Sequence, residues 1–132
     1  MSDEHFQRLA EKHGIRLLIQ FGSTVSGTTH PRSDVDIGAL LDRSSLSLQE
    51  HAELLGDLQS LYPDGKVDLV LINRADPLLL KKMMESCRLL YGPFRRLHEL
   101  RMYAFRRYQD HRKYFELERE FVSRSLNSVP TS

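Results

Sequence analysis

The chain has one cysteine, no long apolar run and almost no net charge, and each shortage excludes something. Cys87 cannot close an internal disulfide by itself, so the fold does not rest on one and a reducing compartment suits it. No uninterrupted apolar stretch approaches the ~20 residues that a membrane-spanning helix requires. The amino-terminal stretch MSDEHFQRLAEKHG is charged throughout and lacks the apolar middle of a secretory signal. The expected location is therefore the cytoplasm, with no membrane partner. Internal repeats and low-complexity blocks are missing too, and only SVPTS at the carboxyl end reads as a tail. No Gly-Lys-Ser/Thr loop follows a strand, and the three-glycine spacing of a dinucleotide fingerprint is absent.

What is present suits a small globular domain. At 132 residues, 40% apolar and 28% charged, the chain can build one modest core but not two. Its net charge of +1 hides an uneven distribution. Arg95 to Arg124 carries nine Lys/Arg against five Asp/Glu, a local +4 that leaves −3 for the remainder. Such a basic segment suits an acidic protein partner, phosphates or nucleic acid, or else is a solvated helix face.

Periodicity divides the chain into alternating elements. Phe6, Leu9 and Ala10 share a helical face over Asp3 to His13, which Gly14 ends. IRLLIQF (Ile15 to Phe21), VDIGALL (Val35 to Leu41) and KVDLVLI (Lys66 to Ile72) read as three short buried strands. SLSLQEHAELLGDLQSLY reads as a helix with Ser45 or Ser47 as its cap, closed by the turn residues of YPDG. DPLLLKKMMESC starts another helix, with Asp76 as cap and Pro77 in its first turn, and RLLYGP breaks the pattern. From Phe94 onward, Leu97, Leu100, Ala104, Tyr108, Phe115 and Val122 fit one long amphipathic helix. Thirty such residues would span roughly 45 Å, more than this core requires. Either part of that face serves a partner, or the helix wraps the sheet with a bend near Gln109 to His111. The expected fold class is α/β (α+β): a small mixed sheet with flanking helices and a long C-terminal helix. Residues 1–93 are expected to form the core, 94–126 a helical extension of the same domain, and 127–132 a flexible tail.

The chemistry concentrates in FGSTVSGTTHPRSDVDIGALL. A strand ending in Gly22-Ser23 and turning into a helix exposes backbone N–H groups and the positive end of a dipole, which favour a phosphate. Asp34 and Asp36 lie two apart, so on a strand they aim to the same face while Val35 enters the core. Two close anions are costly to keep ionised unless a cation sits between them, and hard oxygen ligands suit magnesium. Asp68 is a carboxylate inside an apolar strand and needs a cation partner or a place at the sheet edge. If its strand lies beside that of Asp34 and Asp36, three carboxylates converge, the ligand set of a two-metal site. Each element alone is a weak signal. Their order and spacing together are specific.

Gly22-Ser23, ten residues, Asp34-Val35-Asp36 and then Asp68 on a later strand resemble the polymerase-β-like nucleotidyltransferases. The short length is similar to the minimal nucleotidyltransferases (MNT), and in particular to the MntA-type antitoxins paired with HEPN toxins. The resemblance covers Ile15 to Tyr91. It implies a polymerase-β-like core that transfers AMP from ATP to a hydroxyl and releases pyrophosphate. Carried over by position, Gly22 and Ser23 hold the triphosphate, with Ser33 counted among the nucleotide-binding residues. Asp34, Asp36 and Asp68 are both the catalytic and the metal residues: Asp34 and Asp36 bind two magnesium ions, and Asp68 ligates one ion and accepts the acceptor's proton. The implied partner is a cognate HEPN ribonuclease toxin, silenced by adenylylation of a tyrosine, in a homo- or hetero-oligomer and without direct nucleic-acid binding. Ser26 departs from the family pattern, which places an arginine just before the second glycine. A cation for the phosphates then comes from elsewhere, with Arg32 a candidate and His30 in the same loop. The alternatives are a non-catalytic antitoxin acting by occlusion and a nucleotidyltransferase for small acceptors such as aminoglycosides. Cys87 and the scattered histidines are expected to be structural rather than catalytic.

Overall fold

The computed structural model describes residues 3–22 and 34–128, Asp3 and the last four of these through their backbone alone. Helix α1 (Asp3–His13) leads into β1 (Ile15–Phe21), and β2 (Val35–Leu41) is followed by α2 (Leu48–Ser60). Then come β3 (Val67–Leu71), a 3₁₀ turn (Ile72–Arg74), α3 (Pro77–Glu85), β4 (Cys87–Tyr91) and α4 (Phe94–Ser128). The strands lie in the order β3-β2-β1-β4. β1 is antiparallel to both of its neighbours, whereas β2 and β3 are parallel, so the expected mixed sheet is present.

Strand alternation gives the sheet two apolar faces. On one, Phe6, Leu9 and Ala10 of α1 and Leu54 and Leu58 of α2 cover Ile15, Leu18, Val35 and Ile37. On the other, Leu80 and Met83 of α3 and Leu97, Leu100 and Ala104 of α4 cover Leu17, Ile19 and Phe21. Of the two candidate caps for α2, Ser47 serves: its Oγ accepts from Glu50 N–H at 3.1 Å, and Glu50 Oε1 accepts from Ser47 N–H at 3.0 Å. Asp76 caps α3 by accepting from Leu79 N–H at 2.8 Å. His13 is buried, with Nε2 2.7 Å from Asp57 Oδ2, an oxygen that Lys12 Nζ also reaches at 2.9 Å. That pairing joins α1 to α2 and gives one histidine a structural role in the interior.

Three boundaries differ from the sequence reading. RLLYGP belongs largely to a fourth strand, in which Cys87 pairs with Phe21 and Leu89 with Ile19. Five residues with one charge carry too short an alternation to be distinguished from a helix end. α3 accordingly stops at Glu85, because Cys87 is already paired. β3 ends at Leu71 because the Asn73 side chain takes over the next rung. Its Oδ1 accepts from Leu41 N–H at 2.8 Å and its Nδ2 donates to Leu41 O at 3.0 Å.

α4 runs without a break through Gln109 to His111, so the expected alternative of a bend there is not what forms. Its 35 residues span about 52 Å. Only the first third is buried in the core; farther along, Tyr114, Phe115, Leu117, Phe121 and Val122 are exposed. Among the described residues no helix is long and apolar enough to cross a membrane.

Candidate active site

The site lies where the carboxyl end of β1 meets the starts of β2 and β3. Parallel pairing places Asp36 directly opposite Asp68, and antiparallel pairing places Asp36 opposite Phe21. Val35, Ile37 and Val67 enter the core on the α1/α2 side, so Asp36 and Asp68 fall on the opposite face of the sheet. Asp34 is exposed just before β2, while Asp36 and Asp68 are half-buried.

Two sets of hydrogen bonds hold this end in register. Val35 N–H donates to Lys66 O at 2.7 Å, fixing the start of β2 against β3. The Gln59 side chain then secures the approach to β3. Its Oε1 accepts from Val67 N–H at 2.9 Å, and its Nε2 donates to Tyr62 O at 3.0 Å and to Gly65 O at 2.6 Å. Sequence reasoning missed Gln59, and no motif marks it. Its signal lies only in its place one turn before the YPDG turn. Gln59→Leu is expected to cost about 1–3 kcal/mol, because three backbone groups lose their partner. The measurement is urea denaturation.

Gly22 closes the site from the β1 side. Its φ of +84° lies in the left-handed region, and its N–H donates to Ser86 O at 3.3 Å. A Cβ at this position would stand 2.5 Å from Asp36 Oδ2. The backbone therefore passes directly beside the carboxylate, a contact that only glycine permits.

The carboxyl of Asp36 is held above the ordinary range, first by burial and then by the neighbouring charges of Asp68 and Asp34. Like charges at this sheet end oppose one another. Among the described residues no three acidic, histidine or cysteine side chains are drawn into a ready-made metal cage. The donor set of carboxylate oxygens fits a hard divalent cation, which would relieve the repulsion that raises Asp36. Ser23, Ser33, Arg32, His30 and Ser26 lie outside the described residues. Cys87 is half-buried in β4, with Arg101 Nη2 3.4 Å from its sulfur.

A sheet with this topology and three aspartates at one end is the arrangement of a nucleotidyltransferase core. The polymerase beta nucleotidyltransferase family matches residues 4–94, and the chain belongs to that family. The structure is also similar to solved MntA-type antitoxin complexes. One, a toxin–antitoxin complex with AMP-PNP, has a chain 24% identical at a TM-score of 0.72, covering 97% of this chain and 100% of that one. Another holds a tri-AMPylated Shewanella oneidensis HEPN toxin with its MNT antitoxin, at 21% identity, a TM-score of 0.65 and 96% coverage of both chains. A third is the toxin–antitoxin MntA–HepT, at 21% identity and a TM-score of 0.65, covering 96% of this chain and 97% of that one. At these identities the likeness is one of fold. No curated protein matches the chain.

Proposed function

We propose that this chain is an antitoxin that transfers AMP from ATP to a tyrosine hydroxyl of a cognate HEPN ribonuclease toxin and thereby neutralises it. The observation that carries this reading is the lateral pairing of Asp36 with Asp68, with the Gly22 backbone against Asp36. The AMP-PNP complex and the tri-AMPylated HEPN toxin among the similar structures support the choice of nucleotide and acceptor.

In this reading Asp34, Asp36 and Asp68 hold two magnesium ions, which supply charge neutralisation for the transferring phosphoryl group and its leaving pyrophosphate. Gly22 lets the triphosphate approach the backbone, and Ser23 and Ser33 bind it. Asp68 accepts the proton of the attacking hydroxyl. The three carboxylates act by position: in-line attack on the α-phosphorus depends on alignment more than on covalent chemistry. Residues 1–93 carry the chemistry and α4 extends the same domain, all in the cytoplasm. The exposed aromatic and basic face of α4 beyond Gln109 is the docking surface for the toxin.

The test is to incubate the protein with magnesium, labelled ATP and the HEPN partner. Label is expected on a partner tyrosine with the wild type and not with Asp34→Ala/Asp36→Ala. Toxin neutralisation by that double variant, with no label in either case, would instead establish occlusion.

A further inference from the structure

At the far end of β1 from the aspartates, the sheet and α4 flank a half-open cavity of about 420 Å³. Arg16, Arg96 and Arg107 line it together with Tyr103 and Glu99. Arg16 lies five residues from Phe21, the residue opposite Asp36, which sets the two ends on the order of 17 Å apart. We propose that this cavity is a second, separate binding site for a small ligand carrying two or more phosphoryl groups.

Three features of the fold build it. The first is a β-bulge. Ile15 pairs with Leu41 and Leu17 with Leu40, so Arg16 is the extra residue in the ladder. Ile15 and Leu18 both face α1 and α2, whereas Leu17 faces α3 and α4. Strict alternation would send Arg16 to the α1/α2 side; the bulge turns it toward the cavity on the α4 side. Gly92, just past the end of β4, supports that bulge. Its φ is +112°, and a Cβ there would stand 2.9 Å from Arg16 O.

The second feature is the charge balance. Among the described residues neither Arg16 nor Arg96 has a carboxylate partner. Arg107 is held by an uncharged group: its Nη1 donates to Tyr103 Oη at 2.8 Å, and its guanidinium lies 5.7 Å from the centre of that ring. The one acid in the lining, Glu99, is engaged at 3.9 Å by Arg95, which is not part of the cavity wall. Three guanidiniums facing one space repel one another unless an anion lies between them, and a planar fork suits phosphoryl oxygens.

The third is size. The volume falls within the range of small-molecule pockets.

Binding is measured by ¹⁵N chemical-shift titration with inorganic tripolyphosphate in EDTA, so that no divalent ion bridges ligand and aspartates. Shifts are expected at Arg16, Leu17, Asn73 and Arg96, with Gly22, Asp36 and Asp68 unmoved. Arg16→Gln and Arg96→Gln should each weaken binding about tenfold. Glu99→Gln should tighten it about twofold to fivefold, a gain that loss of structure cannot produce. ATP binding more tightly than tripolyphosphate under the same conditions would identify a nucleotide as the ligand, and equal binding a polyphosphate. A poly-glutamate peptide binding more tightly than either would overturn the proposal. So would shifts confined to Gly22 and the aspartates, an unchanged affinity in both arginine variants, or no binding below 10 mM. Because nucleotidyl transfer is not the readout, this test can fail while the proposed antitoxin activity stands, and the reverse.

Discussion

Asp36→Asn is expected to reduce nucleotidyl transfer by about 10³-fold or more and, at the same time, to raise the thermal stability of the metal-free protein. In the proposed reaction the loss of activity follows from its place between Asp68 and the Gly22 backbone, where a neutral amide would no longer offer a hard anionic ligand. The gain in stability follows from the electrostatics. Burial, then Asp68, then Asp34 hold the Asp36 carboxyl above its unfolded value, so its ionisation is disfavoured in the folded state. The folded state therefore binds more protons than the unfolded chain between the ordinary carboxylate range and the raised value. Stability falls as pH rises through that window and stays lower above it. Thermal melts in EDTA from acid to neutral pH should show this decline in the wild type and a shallower one in Asp36→Asn. Magnesium should raise the melting temperature of the wild type more than that of the variant. A variant less stable than the wild type at neutral pH, or one with full transfer activity, would contradict this account.

Gly22→Ala is expected to affect both stability and chemistry. Holding an L-residue at a φ of +84° costs about 1–2 kcal/mol. The added methyl would also stand 2.5 Å from Asp36 Oδ2, so the carboxylate or the strand end must move. In the proposed reaction, a displacement of about 1 Å at Asp36 is expected to lower the rate on the order of 10²-fold. Steady-state kinetics and urea denaturation together separate the two effects. Gly56→Ala serves as the contrast. Gly56 lies within α2, a Cβ there meets nothing within 4 Å, and its replacement should leave transfer unchanged while stabilising the helix by up to about 1 kcal/mol.

The sequence by itself determined the parts whose signal is local. The strands of Ile15 to Phe21 and Val35 to Leu41 keep the bounds read from their apolar runs, as does the helix ended by Gly14. Asp76 and Pro77 announce the start of α3, and Ser45 and Ser47 together announce that of α2, where the structure selects Ser47, because a capping group and the N–H it satisfies are neighbours in the chain. The order and spacing of Gly22-Ser23, Asp34-Val35-Asp36 and Asp68 also resemble the polymerase-β-like family, to which the chain belongs.

Tertiary structure decided what depends on contacts between distant residues. β4 was hidden because Cys87 to Tyr91 is too short to show a period and becomes a strand only by pairing with β1. The parallel register that puts Asp36 opposite Asp68 crosses more than thirty residues of sequence and includes α2, so spacing alone could not place it. Asn73 acts at long range too, satisfying Leu41 at the end of β2, while Gln59 holds the start of β3 through a side chain that no local pattern distinguishes. The same holds for Arg16. Its sequence position assigns it to the face covered by α1 and α2, and only a bulge in the β1–β2 ladder turns it toward the cavity beside α4. Short-range propensity and capping are written in neighbouring residues, whereas register, bulges and convergent charge arise from pairing energies that exist only once the sheet has closed.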